Sequence, residues 1–253
     1  MGRRSIGIGM IAAVLAVMHA GLGSAAVPTT IPIGWQLPII NGGFSPKALP
    51  KHEPAPVAMG LSGKVETLSG SRPPPLKEID LDVDRNVSVN AKGLPVCRFS
   101  VEEPPSRGCH PAIVGKGTME VEVEFPEQKP IDVKSTLLAF NGGVKEGLPT
   151  IYLYACFGPP INSAIVITAK VSKERRGRFG AKWVFTIPKI AGGYGSTKAF
   201  SLTIHREFAY KGKRRSYLLA KCPDGHLNLR ATSVLSDGSA QADQIVRACT
   251  ATG

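Results

Sequence analysis

Two clusters of cations carry the chemistry this sequence offers most plainly. Lys173-Glu174-Arg175-Arg176-Gly177-Arg178 and Lys211-Gly212-Lys213-Arg214-Arg215 each crowd positive side chains around a glycine, the composition of a charged turn. Gathered at one place on a folded surface they form a cationic patch that attracts polyanions. Such a contact weakens with salt, because screening shortens to about 8 Å at physiological ionic strength. Arg175, Arg176, Arg178, Lys211, Lys213, Arg214 and Arg215 are therefore the candidate anion contacts. The plainer explanation is that charged turns keep a protein soluble, and that Lys-rich edges stop sheets from pairing with other chains.

The five cysteines are the second source of chemistry. Cys97 and Cys109 flank the polar loop RFSVEEPPSRG, and Cys222 and Cys249 bracket the last two expected strands, so these are the expected disulfides. In the loop-entropy model the two closures contribute roughly 3 and 3.5 kcal/mol before native strain is subtracted. Cys156, inside the apolar run IYLYACF, is left as a buried thiol. A metal site at Cys109, His110, Cys222 and His226 is the competing arrangement. It lacks any paired C-x-x-C spacing, and oxidation would consume its thiolates.

The usual catalytic signatures do not occur. There is no Gly-x-Ser-x-Gly elbow, no Gly-rich phosphate loop and no His-Glu-x-x-His, and no cofactor or metal is implied. Beyond residue 26 the histidines are His52, His110, His205 and His226, none in a catalytic pattern, with His205 on the polar face of SLTIHREF. Glycoside hydrolysis by two carboxylates needs no sequence motif, so Glu146, Glu207 and Asp224 stay open as members of such a pair, with nothing selecting them from the other acids.

Other carboxylates fall in rows: Glu78, Asp80, Asp82 and Asp84, then Glu120, Glu122 and Glu124. Two converging rows could hold Ca²⁺, which takes six to eight oxygens. One row cannot, since residues two apart on a strand are nearly 7 Å apart. The expected arrangement pairs each row with Lys, Arg or Thr rows on neighbouring strands.

These side chains must be positioned by strands. Of 253 residues 43% are apolar and 20% charged, enough for a core, while 28 Gly and 21 Pro argue against a helical bundle. Aromatics are scarce at 6%. LKEIDLDVD (76–84) and GTMEVEVEF (117–125) alternate apolar with acidic residues, the period of a strand with one wet face. Further strands are expected at 135–141, 150–157, 164–172, 179–187, 199–210, 214–222, 227–235 and 241–249, separated by turns such as Asn141-Gly142-Gly143, Lys211-Gly212-Lys213 and Asp237-Gly238. Short turns imply antiparallel neighbours. An all-β, two-sheet antiparallel β-sandwich, jelly-roll or immunoglobulin-like, fits this better than a small closed barrel, which stays open.

The first 26 residues have the three-part form of a secretory signal peptide: Arg3-Arg4, an apolar run from Ile6 to Ala20, then small residues ending Ser24-Ala25-Ala26. That run is shorter than the roughly 20 residues needed to span a bilayer, and no later stretch approaches a span. Residues 27–56 are rich in proline with no sustained period, an extended leader ahead of a domain at 57–253. Its apolar residues, Ile31, Ile33, Trp35, Leu37, Ile39 and Ile40, are odd for a solvated linker, as if part of it lay against the domain.

The formal net charge is +12. Between residues 27 and 130 there are 11 basic and 12 acidic residues, and beyond 130 there are 18 and 7. In an antiparallel succession every second turn lies at the same end, so the turn at Gly177 and the one at Gly212 share a pole. The partner expected there is an anionic envelope polymer or lipid surface. Nucleic acid does not suit an exported chain with few aromatics between its basic residues.

ALPKHEPAPVAMGLSGKVETLSGSRPPPLKEIDLDVDRN (48–86), GTMEVEVEFPEQKPIDVKSTLLAFNGG (117–143), IPKIAGG (187–193) and KCPDGHL (221–227) resemble an uncharacterised family of exported bacterial proteins. The resemblance implies secretion and a shared single domain, and carries no activity or binding residues. The sequence therefore reads as a secreted or extracytoplasmic, disulfide-linked and noncatalytic β-domain, a binding or structural module of the cell envelope or extracellular space acting through a basic patch. The alternatives are a hydrolase of an envelope polysaccharide and a carrier of an apolar ligand in a cavity between the sheets.

Overall fold

The computed structural model describes residues 35–67, 71–174 and 177–253, with side chains from Ile40 onward. The expected signal peptide and the beginning of the leader lie outside the described residues. Alternating sequence becomes strand almost throughout: β1 (Trp35–Ser45), β2 (Ala48–Pro50), β3 (Ala55–Pro56), β4 (Ala58–Thr67), β5 (Leu76–Asp84), β6 (Val87–Val89), β7 (Ile113–Val123), β8 (Ile131–Lys145), β9 (Leu148–Phe157), β10 (Ser163–Lys173), β11 (Phe179–Thr186), β12 (Gly195–Ile204), β13 (Glu207–Tyr210), β14 (Lys213–Ser216), β15 (Leu218–Ala220), β16 (His226–Leu235), β17 (Ala240–Ala248) and β18 (Thr250–Thr252). Residues 35–56, given to the leader by their prolines, supply β1, β2 and β3, so the folded unit takes them in. Pro38 falls where the β1 register shifts between Gln36 and Ile39, on an edge strand, where a missing N–H is tolerated.

The fold is all-β, but its eleven longest-ranging strands make one sheet rather than two. The order is β1-β4-β12-β7-β8-β9-β10-β11-β5-β16-β17, with every neighbouring pair antiparallel. The sheet rolls until its edges, β1 and β17, lie side by side, nearly a barrel. Because eleven is odd, strands that alternate in direction bring those two edges together pointing the same way. Side chains join the edges: Asp243 Oδ2 accepts from the Ile40 N–H at 3.3 Å, and Arg247 donates to the Gly42 carbonyl at 2.7 Å and to the Asn41 side chain. Gly42 leaves room for the core behind the seam, since a Cβ there would sit 3.0 Å from Leu229 Cδ2 of β16 and 3.6 Å from Ile245 Cδ1 of β17.

Inward positions such as Leu81, Val121, Ile151, Ala155 and Trp183 are buried in one continuous apolar core. Phe185 of β11 and Leu202 of β12, far apart in sheet order, line a common void of only about 40 Å³, so opposite walls meet through their side chains and enclose no lumen. The outer face carries the acidic rows, matched by cations as the spacing argument requires. Lys182 lies 2.5 Å from Asp80, Arg230 Nε 2.6 Å from Asp82, Lys134 3.1 Å from Glu120, and Lys198 bridges Glu122 and Asp132 at 3.3 and 2.9 Å.

Strand direction gathers the small elements at one pole, where β1, β5, β8, β10, β12 and β17 end. The sheet β3-β15-β6, the hairpin β13–β14 and the parallel pair β2 and β18 all stand there. Both expected disulfides are formed, with Cα separations of 5.2 Å for Cys97–Cys109 and 6.1 Å for Cys222–Cys249. The first holds a loop against the outer face of β8 and β9, where the Phe99 ring meets Phe140 and Tyr154 at 5.0 and 5.8 Å between centroids. Cys156 is exposed and unpaired, not buried. Ile151, Leu153, Ala155 and Phe157 take the interior, so parity turns Cys156 outward.

Candidate functional site at the basic pole

The hairpin β13–β14 carries the second basic cluster. Tyr210 pairs with Lys213 across a two-residue turn in which Lys211 and Gly212 both have positive φ, 51° and 71°, the twist that suits a tight hairpin. Alternation then divides the cations. Lys213 and Arg215 share a face with Phe208 and Tyr210, and Arg214 shares the other with Glu207. Arg215 Cζ lies 5.6 Å and Lys211 Nζ 5.7 Å from the centre of the Tyr210 ring, which therefore has two cations around it. Gly93, with φ 88°, backs that ring so closely that a Cβ would come within 2.1 Å of it. The hairpin is thus seated on the 90–95 loop through Tyr210.

Arg214 is taken up locally, its Nε 2.6 Å from Glu207 Oε2. Lys211 and Lys213 have no ion pair among the described residues. Arg175 and Arg176 lie outside the described residues. Strand direction puts the turn between β10 and β11, which holds Gly177, at the same pole as the hairpin that follows β12.

Arg178 does different work. Its Nε donates to Asp84 Oδ2 at 3.1 Å, its two terminal nitrogens to Asp224 at 2.6 and 2.7 Å, and one of them also to the His226 carbonyl at 2.8 Å. Asp84 is wholly buried and also accepts from the backbone and side-chain N–H groups of Asn86 and the backbone N–H of Asn228, at 2.9, 2.9 and 3.0 Å. The bonds from Arg178 hold the Asp224 carboxyl below its usual range, and the Asp224 bonds raise the guanidinium in turn. With four N–H groups committed, Arg178 is a clamp between the end of β5, the start of β11 and the start of β16 rather than an open anion contact.

The three acids left open for hydrolysis are each ion-paired: Glu207 with Arg214, Asp224 with Arg178, and Glu146 with Lys170 at 2.7 Å. Cys109 and Cys222 are consumed by disulfides, and among the described residues no group of three or more His, Cys, Asp or Glu is arranged to hold a metal. His205 is exposed. Among the described residues no helix is long and apolar enough to cross a membrane.

Sequence reasoning missed a cavity of about 520 Å³ at this pole, lined by β5, β6, β10, β11 and the β8–β9 turn. Its residues come from five places in the chain and mix apolar strand positions with Ser88, Ser172, Lys173 and the turn residue Gly147, so no local pattern announces it. No protein-family model, curated protein or solved structure matches this chain.

Proposed function

We propose that the protein is exported by the signal segment at 1–26 and is a noncatalytic binding module that holds an anionic polymer or lipid surface of the cell envelope through this pole. The observation that carries the reading is the hairpin tip: Lys211 and Arg215 lie over the Tyr210 ring and Lys213 pairs in register with Tyr210 across the turn, none of the three with a carboxylate partner among the described residues. Cations so presented attract polyanions at a strength that falls with salt. The resemblance to an uncharacterised family of exported bacterial proteins belongs to the same proposal.

The test is fractionation of producing cells into medium and envelope, with envelope washes of rising salt. The parent protein is expected in the envelope and released by salt, and a Lys211→Gln, Lys213→Gln, Arg215→Gln variant in the medium at low salt. Recovery of the parent in the medium before any wash, or unchanged retention of the variant, overturns the reading.

A further inference from the structure

The pole cavity has a two-part chemistry. Its floor is Val83, Val171 and Trp183, all buried, and its sides include Val87 and Val89 of β6 and Leu148. β6 is an edge of its three-stranded sheet, so the space lies between that edge and the rim of the barrel. Two voids among the core side chains below measure about 40 Å³ each, whereas this space is about 520 Å³. Close-packed interiors hold few voids larger than a water molecule, while ligand sites run from roughly 300 to 1,000 Å³.

The mouth is basic. Lys173 lines it. Arg85 adjoins it, its Cα only 2.6 Å from where a Cβ on the lining residue Gly180 would stand. Lys145 pairs in register with Leu148. None of these three cations is ion-paired among the described residues, and the neighbouring acid Glu146 is already held by Lys170. A floor of two valines and a tryptophan suits a hydrocarbon chain better than a polyphosphate or a sugar rich in hydroxyls, and an uncharged hydrocarbon would leave the cations unused.

We propose that this cavity binds a single-chain anionic amphiphile, a long-chain carboxylate in its simplest form, with the chain over Trp183 and the head at Lys173. This deepens the envelope reading and rests on it for the compartment in which such a ligand is met. The volume suits one chain, so the ligand is taken up as a monomer rather than as part of a bilayer.

The test uses the purified full chain with Trp35→Phe, which leaves Trp183 as its single tryptophan, titrated with 12-bromododecanoate and, separately, 12-bromododecanol. A bromine carried over the floor quenches Trp183 emission. The expected result is saturable quenching at one ligand per chain. Lys173→Glu should weaken the carboxylate at least tenfold and the alcohol by no more than about twofold, and Ala181→Phe, which fills the space, should abolish both. Shortening an unlabelled competitor by one methylene should weaken it about fourfold. Quenching that does not saturate, that survives both substitutions, or that comes from brominated phospholipid vesicles but not the monomer overturns the proposal. Salt-sensitive retention without monomer quenching removes this inference alone, and monomer quenching without salt-sensitive retention removes the envelope reading alone.

Discussion

Arg178 Nε lies 3.1 Å from Asp84 Oδ2, joining a carboxylate with no solvent exposure to a guanidinium that keeps 26% of its own. Burying one ion and leaving its partner at the surface makes the partner indispensable, because a buried charge without compensation is strongly destabilising. The same guanidinium reaches on to Asp224 and the His226 carbonyl, so one side chain ties three strand ends together.

Arg178→Met should therefore destabilise the protein by roughly 3–5 kcal/mol. Lys213→Gln, a few residues from the other turn, should change stability by no more than about 0.5 kcal/mol. Urea midpoints of the two variants check both, and equal midpoints would show that Arg178 is no clamp.

Acid should loosen the same cluster. The Asp224 carboxyl is held below its usual range by hydrogen bonds from Arg178, so the folded state takes up that proton less readily than the unfolded chain. Its stabilising contribution is present above the ordinary carboxylate pKa of about 4 and is lost as pH falls through the lowered folded value. A parent chain compared with Asp224→Asn by thermal melts from pH 7 to pH 2 should show the parent losing more stability below about pH 4.

Cys156 should react with iodoacetamide in the native protein, giving one modified site by mass spectrometry, while the four disulfide cysteines become available only after reduction. Protection of Cys156 until unfolding would contradict its outward orientation.

The clearest alternation proved the most legible part of the fold. The acidic repeat of LKEIDLDVD is realised as β5 over Leu76–Asp84, and both cysteine pairings follow from loops that the strands bring together. The apolar residues of 35–45 do not announce a strand, because glycine and proline interrupt the period that β1 keeps through its pairing with β4. Cys156 faces opposite to the sequence expectation because a run of apolar residues hides its parity until neighbouring strands fix which side is in. Arg178 and Lys213 look alike in sequence, and only the long-range arrival of Asp84 and Asp224 separates a structural cation from an available one.

Going round the wall, strand direction reverses at each of ten ladders and fails to reverse once, where β1 meets β17. That step is a fault line fixed by parity. Asp243 and Arg247 bolt it with bonds from their side chains. The rolled sheet is thus closed along that line by side chains instead of a backbone ladder.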